Sequence, residues 1–294
     1  KDSTLLEKDL FHDFWLCVCL CSDVIVEEVN IEENIFLYQG SSPDEVALVE
    51  AASQLSIILL SKIPGFCRIS YFGEILNFEI LHTIEFSSER KCMSVFVRQP
   101  NTEVVVMYSK GADSVILPHL DKQIGNISLI STKRDLKEYS KKGLRTLCLG
   151  KRVMSHLDYE LWAQELNLAI IKSSSINYTP GLGISSDTKN PFKSIHEKME
   201  NGLQLIGVTA VEDKLQEDVP DVIHNLHKAG IKVWMLTGDK LETAENIGYL
   251  CKLITRETKV FRIPSGLTLD SIMFLFVVNS EQISIHSNHE FQIT

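Results

Sequence analysis

The chain has 294 residues, which is long for one domain and about right for two. It carries 39 acidic and 29 basic side chains, a formal net charge of −10, and 44% of its residues are hydrophobic. This composition excludes a disordered chain, and it argues against nucleic-acid binding, which would require an excess of basic residues. We therefore expect a globular chain of two units that binds no nucleic acid.

The longest apolar runs are shorter than the roughly 20 residues that a membrane-spanning helix needs. They lie at residues 14–21, 56–60 and 272–278. The chain begins Lys1-Asp2-Ser3 without a methionine, and we expect it to be part of a longer chain. Its seven cysteines include no C-x-x-C pair, so we expect buried thiols in a reducing cytosol.

The first two predicted elements are helices. Residues 10–26 are apolar with few breaks, and the length of this run favours a buried helix. A second helix begins at Ser42-Pro43-Asp44-Glu45, where Ser42 has the position of an N-cap and Pro43 that of the first helical residue. Glu45 lies three residues past the cap, so we expect its side chain to complete a capping box.

Short β-rich runs separated by polar residues come next. They lie at residues 78–86, 93–97 and 104–108. The polar stretch 98–102 between the last two runs is typical of a hairpin turn. This pattern predicts an antiparallel sheet.

A charged helix follows, with Ser131 or Thr132 as its predicted N-cap and Gly143 as its end. Residues 144–153 then read as another strand. Helices that alternate with an antiparallel sheet predict an α+β domain with flanking helices.

The pattern changes after residues 172–195, a Ser-rich stretch with little periodicity that predicts a surface loop or insertion. Apolar strands are then predicted at 203–211 and 231–236, and each is followed by a helix. Strands that alternate with helices in this way indicate a parallel α/β sheet, whose ligands bind at the carboxyl ends of the strands. From about residue 254 the signal fades.

Thr237-Gly238-Asp239 lies at such a carboxyl end. A hydroxyl, a glycine and the amides of a following helix suit a phosphoryl group, but they bind it without reacting with it. Chemistry would require a nucleophile such as the aspartate of Asp-Lys-Thr-Gly-Thr or Asp-x-Asp, and neither motif is present. His224 and His227 lack a third ligand, so we predict neither a catalytic residue nor a metal site.

Six blocks of sequence between residues 42 and 240 form a further pattern. They are Ser42-Pro43-Asp44-Glu45, Phe86-Ser87-Ser88-Glu89-Arg90-Lys91-Cys92-Met93-Ser94-Val95, Lys110-Gly111-Ala112-Asp113, Gly143-Leu144-Arg145-Thr146-Leu147, Val208-Thr209-Ala210-Val211-Glu212-Asp213-Lys214-Leu215-Gln216 and Trp234-Met235-Leu236-Thr237-Gly238-Asp239-Lys240. In content and order they resemble the type-IV P-type ATPases, the phospholipid flippases. The resemblance covers about residues 10–253.

This resemblance implies two unequal domains. Residues 1–200 would be an α+β nucleotide-binding domain with the Ser-rich insertion at about 172–195. Residues 201–294 would be part of an α/β haloacid-dehalogenase-like phosphorylation domain, with an uncertain tail from about 254. The implied ATP contacts are Glu45, Phe86, Ser88, Lys91, Lys110, Arg145, Thr237, Gly238 and Asp239.

The resemblance also implies a role for several of these contacts. Phe86 would stack on adenine and Glu45 would accept a hydrogen bond from the adenine amino group. Lys91, Lys110 and Arg145 would form a local basic cleft for the phosphates in an otherwise acidic protein. Ser88 offers a hydroxyl that could equally bond its own turn.

The family's phosphorylated aspartate and its magnesium ligands are expected outside this chain, so we predict that the chain alone does not hydrolyse ATP. In the intact pump it would position Mg-ATP for transfer to that aspartate on the cytoplasmic face of a membrane, with phospholipid moved by membrane segments that lie outside the chain. The β-subunit partner of many relatives has no readable footprint here. Two alternatives remain open: a non-catalytic nucleotide-binding or interaction module, and a free-standing haloacid-dehalogenase-type phosphatase.

Overall fold

The computed structural model of the chain describes residues 3–30, 35–121, 127–174, 192–212, 215–237, 241–255, 257, 258, 260 and 262. The chain divides into two compact units, Lys1–Leu136 with Thr146–Val211 and Lys137–Arg145 with Glu212–Thr294. Within the described ranges, no helix is long and apolar enough to cross a membrane.

The first unit is built on a seven-stranded sheet whose strands stand side by side in chain order. They are β3 (Ile57–Ile63), β4 (Phe66–Tyr71), β5 (Glu74–Ile84), β6 (Cys92–Arg98), β7 (Val105–Gly111), β8 (Arg145–Met154) and β9 (Gln204–Val211), after a separate antiparallel pair of β1 (Ile25–Asn30) and β2 (Ile35–Gln39). Each pair from β3·β4 to β7·β8 is antiparallel. The antiparallel sheet predicted from the sequence is therefore confirmed.

The helices are α1 (Ser3–Leu20), α2 (Pro43–Gln54), the short α3 (Asp113–Ile116), α4 (Ile127–Lys141), α5 (His156–Ser174), α6 (Lys193–Glu200), α7 (Val219–Lys228) and α8 (Leu241–Leu250). Of these, α1 and α2 contribute to one hydrophobic cluster of the first unit, and α5 and α6 contribute to a second.

The central strands β6 and β7 are buried on both faces of the sheet. Val106 and Tyr108 belong to the cluster that contains α1 and α2, whereas Val105 and Met107 belong to the cluster that contains α5 and α6. This alternation follows from the two-residue period of a strand. Each fully buried side chain of this kind contributes roughly 1.5–3 kcal/mol, so these strands are the stable base from which the loops at the sheet edge project.

Several predicted elements agree with the structure. Helix α2 has Ser42 as its N-cap and Pro43 in its first turn. The stretch 98–102 joins β6 to β7 as a turn, with Gln99 N donating to Val104 O over 3.0 Å. The predicted strand over 144–153 is β8, within one residue at each end.

Other expectations were wrong. Helix α4 begins at Ile127, so neither Ser131 nor Thr132 caps it. The added turn includes Leu129, which packs with the buried Leu136 against the core, so tertiary packing outweighs the local capping signal. Strands β3 and β4 were not predicted; they form a hairpin around Pro64 and Gly65.

The described part of the second unit is helical. Helix α7 is terminated by Gly230, two residues past its last residue Lys228; the φ of 75° at Gly230 suits a residue without a side chain, and Ile231 N donates back to Leu226 O over 2.9 Å. The predicted strand over 231–236 is not a strand, and residues 231–237 have no regular structure. Among the described residues of 212–262 there is no strand with which this segment could pair. The haloacid-dehalogenase-like assignment of this unit stays a prediction.

Candidate functional site

The candidate site lies at the edge of the sheet where β5 and β7 end and β6 begins. Its central contact is an ion pair between Lys110 on β7 and Glu45 in the first turn of α2, with Lys110 Nζ 2.6 Å from Glu45 Oε1. The Lys110 side chain is only 3% exposed. Among the described residues Nζ has no acceptor in hydrogen-bonding geometry, so this contact is an ion pair without an aligned hydrogen bond. Lys110 thus retains donor capacity inside a buried site.

Glu45 does not complete the predicted capping box. Ser42 makes no side-chain capping bond; its carbonyl oxygen instead accepts from the backbone N–H of Glu45 over 3.2 Å. The Glu45 carboxylate points to tertiary partners, because its Oε2 accepts from Asp23 N over 2.8 Å while its Oε1 faces Lys110. The side chain therefore joins the segment after α1 to the end of β7.

The loop between β5 and β6 carries three of the predicted contacts, Phe86, Ser88 and Lys91. The Phe86 ring is 62% exposed, so the prediction that it is available for stacking is compatible with its placement. Ser88 is exposed in the turn. The loop closes on itself where Lys91 N donates to Ser87 O over 2.7 Å.

Lys91 adopts a left-handed backbone conformation, with φ of 53°. For a residue with a Cβ this conformation costs roughly 1–2 kcal/mol, and such costs concentrate at functional sites. Among the described residues its ammonium forms no ion pair, in contrast to Lys110 and Arg90, whose charges are matched by Glu45 and Glu200. Of the predicted cations, Lys91 therefore has no ion pair among the described residues, whereas Lys110 pairs with Glu45.

Gly111 permits the close approach of this loop to β7. A Cβ at Gly111 would lie 2.4 Å from Cys92 Cβ and 2.6 Å from Lys91 O. Ala112 N donates to the same Lys91 oxygen over 3.0 Å. A side chain at position 111 would therefore push the loop away from Lys110.

The thiol of Cys92, the first residue of β6, is buried. Burial, with a further contribution from the charge of Glu200, raises the pKa of its thiol to about 11. The group stays protonated at neutral pH, and only the thiolate would attack an electrophile.

Four predicted contacts remain, and they lie outside the Phe86 loop and β7. Arg145 is the first residue of β8, and the division between the two units falls directly after it. Thr237 is exposed in the second unit, outside any helix or strand. Gly238 and Asp239 lie outside the described residues. The site roles of these four residues stay predictions.

Three residues at this edge were not predicted from the sequence: Asp23, Arg90 and Glu200. Asp23 donates its backbone N–H to Glu45, and Arg90 pairs with Glu200. Arg90 belongs to a block that carried the resemblance, so a signal was present for it. Glu200 had no such signal, because its partner is 110 residues away in sequence.

Comparison with known proteins shows which family the sequence of this chain matches. A sequence model of the family described as "P-type ATPase, cytoplasmic domain N" matches residues 10–218. Mouse "Phospholipid-transporting ATPase VD" is 44% identical over 234 residues, which cover 76% of this chain and 16% of that protein. Fission yeast (Schizosaccharomyces pombe) "Phospholipid-transporting ATPase C887.12" is 40% identical over 248 residues, covering 84% of this chain and 18% of that protein.

A third relative, Xenopus tropicalis "Phospholipid-transporting ATPase IC", is 38% identical over 256 residues, covering 86% of this chain and 19% of that protein. The chain belongs to the type-IV branch of the P-type ATPases. It spans less than a fifth of the length of each of these three relatives.

Proposed function

We propose that the first unit binds an adenine nucleotide at the edge formed by Glu45, the Phe86 loop and Lys110. The observation that carries this proposal is the buried Lys110 ammonium, which has an ionic partner but no aligned acceptor among the described residues. A ligand with ring nitrogens or phosphate oxygens would supply that acceptor. The exposed Phe86 ring would stack on the base and Lys91 would attract phosphate.

The partners that Glu45 has in the fold leave room for a ligand. Both of its oxygens already have partners, in Asp23 N and Lys110 Nζ. Each carboxylate oxygen has a second lone pair, so Glu45 can still accept from an adenine amino group while it holds Lys110 in place.

In the whole protein, this unit would deliver Mg-ATP to an aspartate outside the chain, and the resulting phosphorylation would drive phospholipid movement across a membrane. Sequence identity of 38–44% to phospholipid-transporting ATPases, over most of the chain, supports this proposal. Thr237, Gly238 and Asp239 would lie near the transferred phosphoryl group, and Arg145 near the phosphates. The described residues contain no group of three or more His, Cys, Asp or Glu side chains that could hold a metal ion.

Isothermal titration calorimetry of the 294-residue chain with ATP tests the nucleotide site. We expect binding by the wild type and about fivefold weaker binding by Phe86→Ala, because stacking of a base on an aromatic ring is worth about 1 kcal/mol. Phe72→Ala is the matched control, since Phe72 is another exposed phenylalanine in a turn, and it should bind like the wild type. No ATP binding by a folded wild-type chain would refute the proposal.

A further inference from the structure

The loop that carries Phe86 is held by the side chain of one of its own residues. Arg90 Nη1 donates to the carbonyl oxygen of Glu85 over 2.7 Å, at the start of the loop. Arg90 N donates to Ser87 Oγ over 3.2 Å. The guanidinium group therefore reaches from the end of the loop to its start, where it holds the backbone just before Phe86, and the backbone N–H of Arg90 holds the Ser87 side chain just after Phe86.

The same guanidinium group is anchored to a distant element. Arg90 Nη2 pairs with Oε1 of Glu200, the last residue of α6. Their side chains are 18% and 10% exposed. The pair thus connects a surface loop to the interior of the unit.

Glu200 is in turn fixed by the sheet. Its Oε1 accepts from Ser94 Oγ over 2.6 Å, and the Ser94 hydroxyl is 2.8 Å from Ser109 Oγ on the neighbouring strand β7. Ser94 and Ser109 face each other in the register of β6 and β7. The carboxylate of Glu200 therefore has a defined position relative to the two most deeply buried strands.

A charged pair in this position is a poor source of stability. The cost of removing two charges from water often equals or exceeds their attraction, and apolar residues of similar size commonly stabilise a fold as well. The pair instead fixes the orientation of the groups that it joins, because a guanidinium group binds two acceptors in fixed geometry. Here those acceptors are the carbonyl oxygen of Glu85, next to Phe86, and the carboxylate of Glu200.

We propose that Arg90 and Glu200 are positioning residues that hold the Phe86 loop in the conformation that stacks on a nucleobase. This inference rests on the proposed nucleotide site and adds to it a residue pair that acts through Phe86 without touching the ligand. Without the Arg90–Glu200 pair the loop would remain on the surface, but the Phe86 ring would sample other orientations. Part of the binding free energy would then be lost in ordering the ring.

A double-mutant cycle tests this inference. The double variant Arg90→Gln/Glu200→Gln removes both charges, so neither is left buried without a partner; Glu200→Gln preserves side-chain size, and Arg90→Gln shortens the side chain. Calorimetry with the 294-residue chain measures ATP and inorganic tripolyphosphate separately. We expect about fivefold weaker ATP binding, since the loss is limited to the stacking contribution of about 1 kcal/mol, with tripolyphosphate binding unchanged. In a Phe86→Ala background the same double variant should cause no further loss.

Arg98→Gln is the matched control. Arg98 lies at the opposite end of β6, where it pairs with Glu79 over 2.7 Å and Glu103 over 2.8 Å. Its replacement should leave the affinity for ATP unchanged. If Arg98→Gln weakens ATP binding as much as the double variant does, the effect is general to the strand and the inference is overturned.

Two further results would overturn the inference while the proposed function stands. One is that the double variant binds ATP with wild-type affinity. The other is that the double substitution weakens ATP binding in the Phe86→Ala background as much as it does in the wild type. If circular dichroism shows the double variant to be unfolded, Arg90→Lys gives the test instead: a lysine keeps the charge for Glu200 but cannot also reach Glu85 O, so the same fivefold loss is expected, and wild-type affinity contradicts the inference. If wild-type chain binds no ATP, the proposed function fails and this inference fails with it.

Discussion

Lys110 Nζ lies 2.6 Å from Glu45 Oε1, and this ion pair joins the end of β7 to the first turn of α2. The two side chains are unequally buried, since Lys110 is nearly inaccessible and Glu45 retains some contact with solvent. Their removal should therefore have unequal effects.

We expect Glu45→Gln to destabilise the chain by about 3 kcal/mol, because it leaves a buried ammonium without its counterion. Lys110→Met should cost less, since the Glu45 carboxylate would still accept from Asp23 N. The double variant should recover part of the loss. Urea unfolding followed by circular dichroism measures the free energy of unfolding of all three variants. The prediction is contradicted if the loss in the double variant equals the sum of the losses in the two single variants.

Lys62 stabilises the end of α1. Its ammonium donates to Leu20 O over 2.8 Å and to Ser22 Oγ over 3.2 Å, and burial lowers its pKa from the ordinary value. Lys62→Met removes a positive charge from a helix C-terminus and leaves carbonyl oxygens without donors, so we expect a loss of about 2 kcal/mol in urea unfolding.

Lys198→Met provides the comparison for Lys62. Lys198 also forms an ion pair, with Glu165 Oε2 at 2.6 Å, but both side chains are exposed. Such surface pairs contribute about 1 kcal/mol or less. Equal losses in the two variants would show that Lys62 has no special role at the helix end.

The stability of the first unit should depend on pH through His196. Burial, followed by the charges of Arg90 and His82, lowers the pKa of His196 to about 4 from an ordinary value of 6.5. Between these values the unfolded chain binds a proton that the folded chain does not. The stability that depends on the neutral form of His196 is therefore fully present above pH 6.5, and it is lost as the pH falls towards 4.

Urea midpoints at pH 7 and pH 5 measure this effect. We expect the urea midpoint of the wild type to be lower at pH 5 than at pH 7. The decrease should be smaller for His196→Gln. His224→Gln, at an exposed histidine of α7, should behave like the wild type. An unchanged fall in His196→Gln would contradict the prediction.

Local sequence patterns were sufficient for the elements whose stability is local. Ser42 and Pro43 marked the start of α2, and the polar stretch 98–102 marked the turn between β6 and β7. The start of α4 was misplaced, because residue Leu129 is drawn into the helix by contacts with the core that no neighbouring residue reveals.

The site shows the same limit. The resemblance to a family singled out Phe86, Ser88 and Lys91, which the structure places in one loop between β5 and β6, but it gave no orientation for their side chains. Glu45 fitted a capping box by spacing, yet its carboxylate faces Lys110 and Asp23, both far from it in the chain. Pairing between charges that are distant in sequence is decided by the completed fold, and local rules cannot anticipate it.

The order of the strands has a consequence for the way in which the first unit forms. Strands β4 to β7 each pair with the strand that precedes them, with short turns between, so the entropy lost on closing each loop is small. These hairpins can assemble during synthesis while the later part of the chain is still being made. Helix α6 and β9 come last, and α6 carries Glu200. If Arg90 and Glu200 position the Phe86 loop as proposed, this loop would receive its anchor only when the last elements of the unit have been added, and an incomplete chain would bind nucleotide weakly.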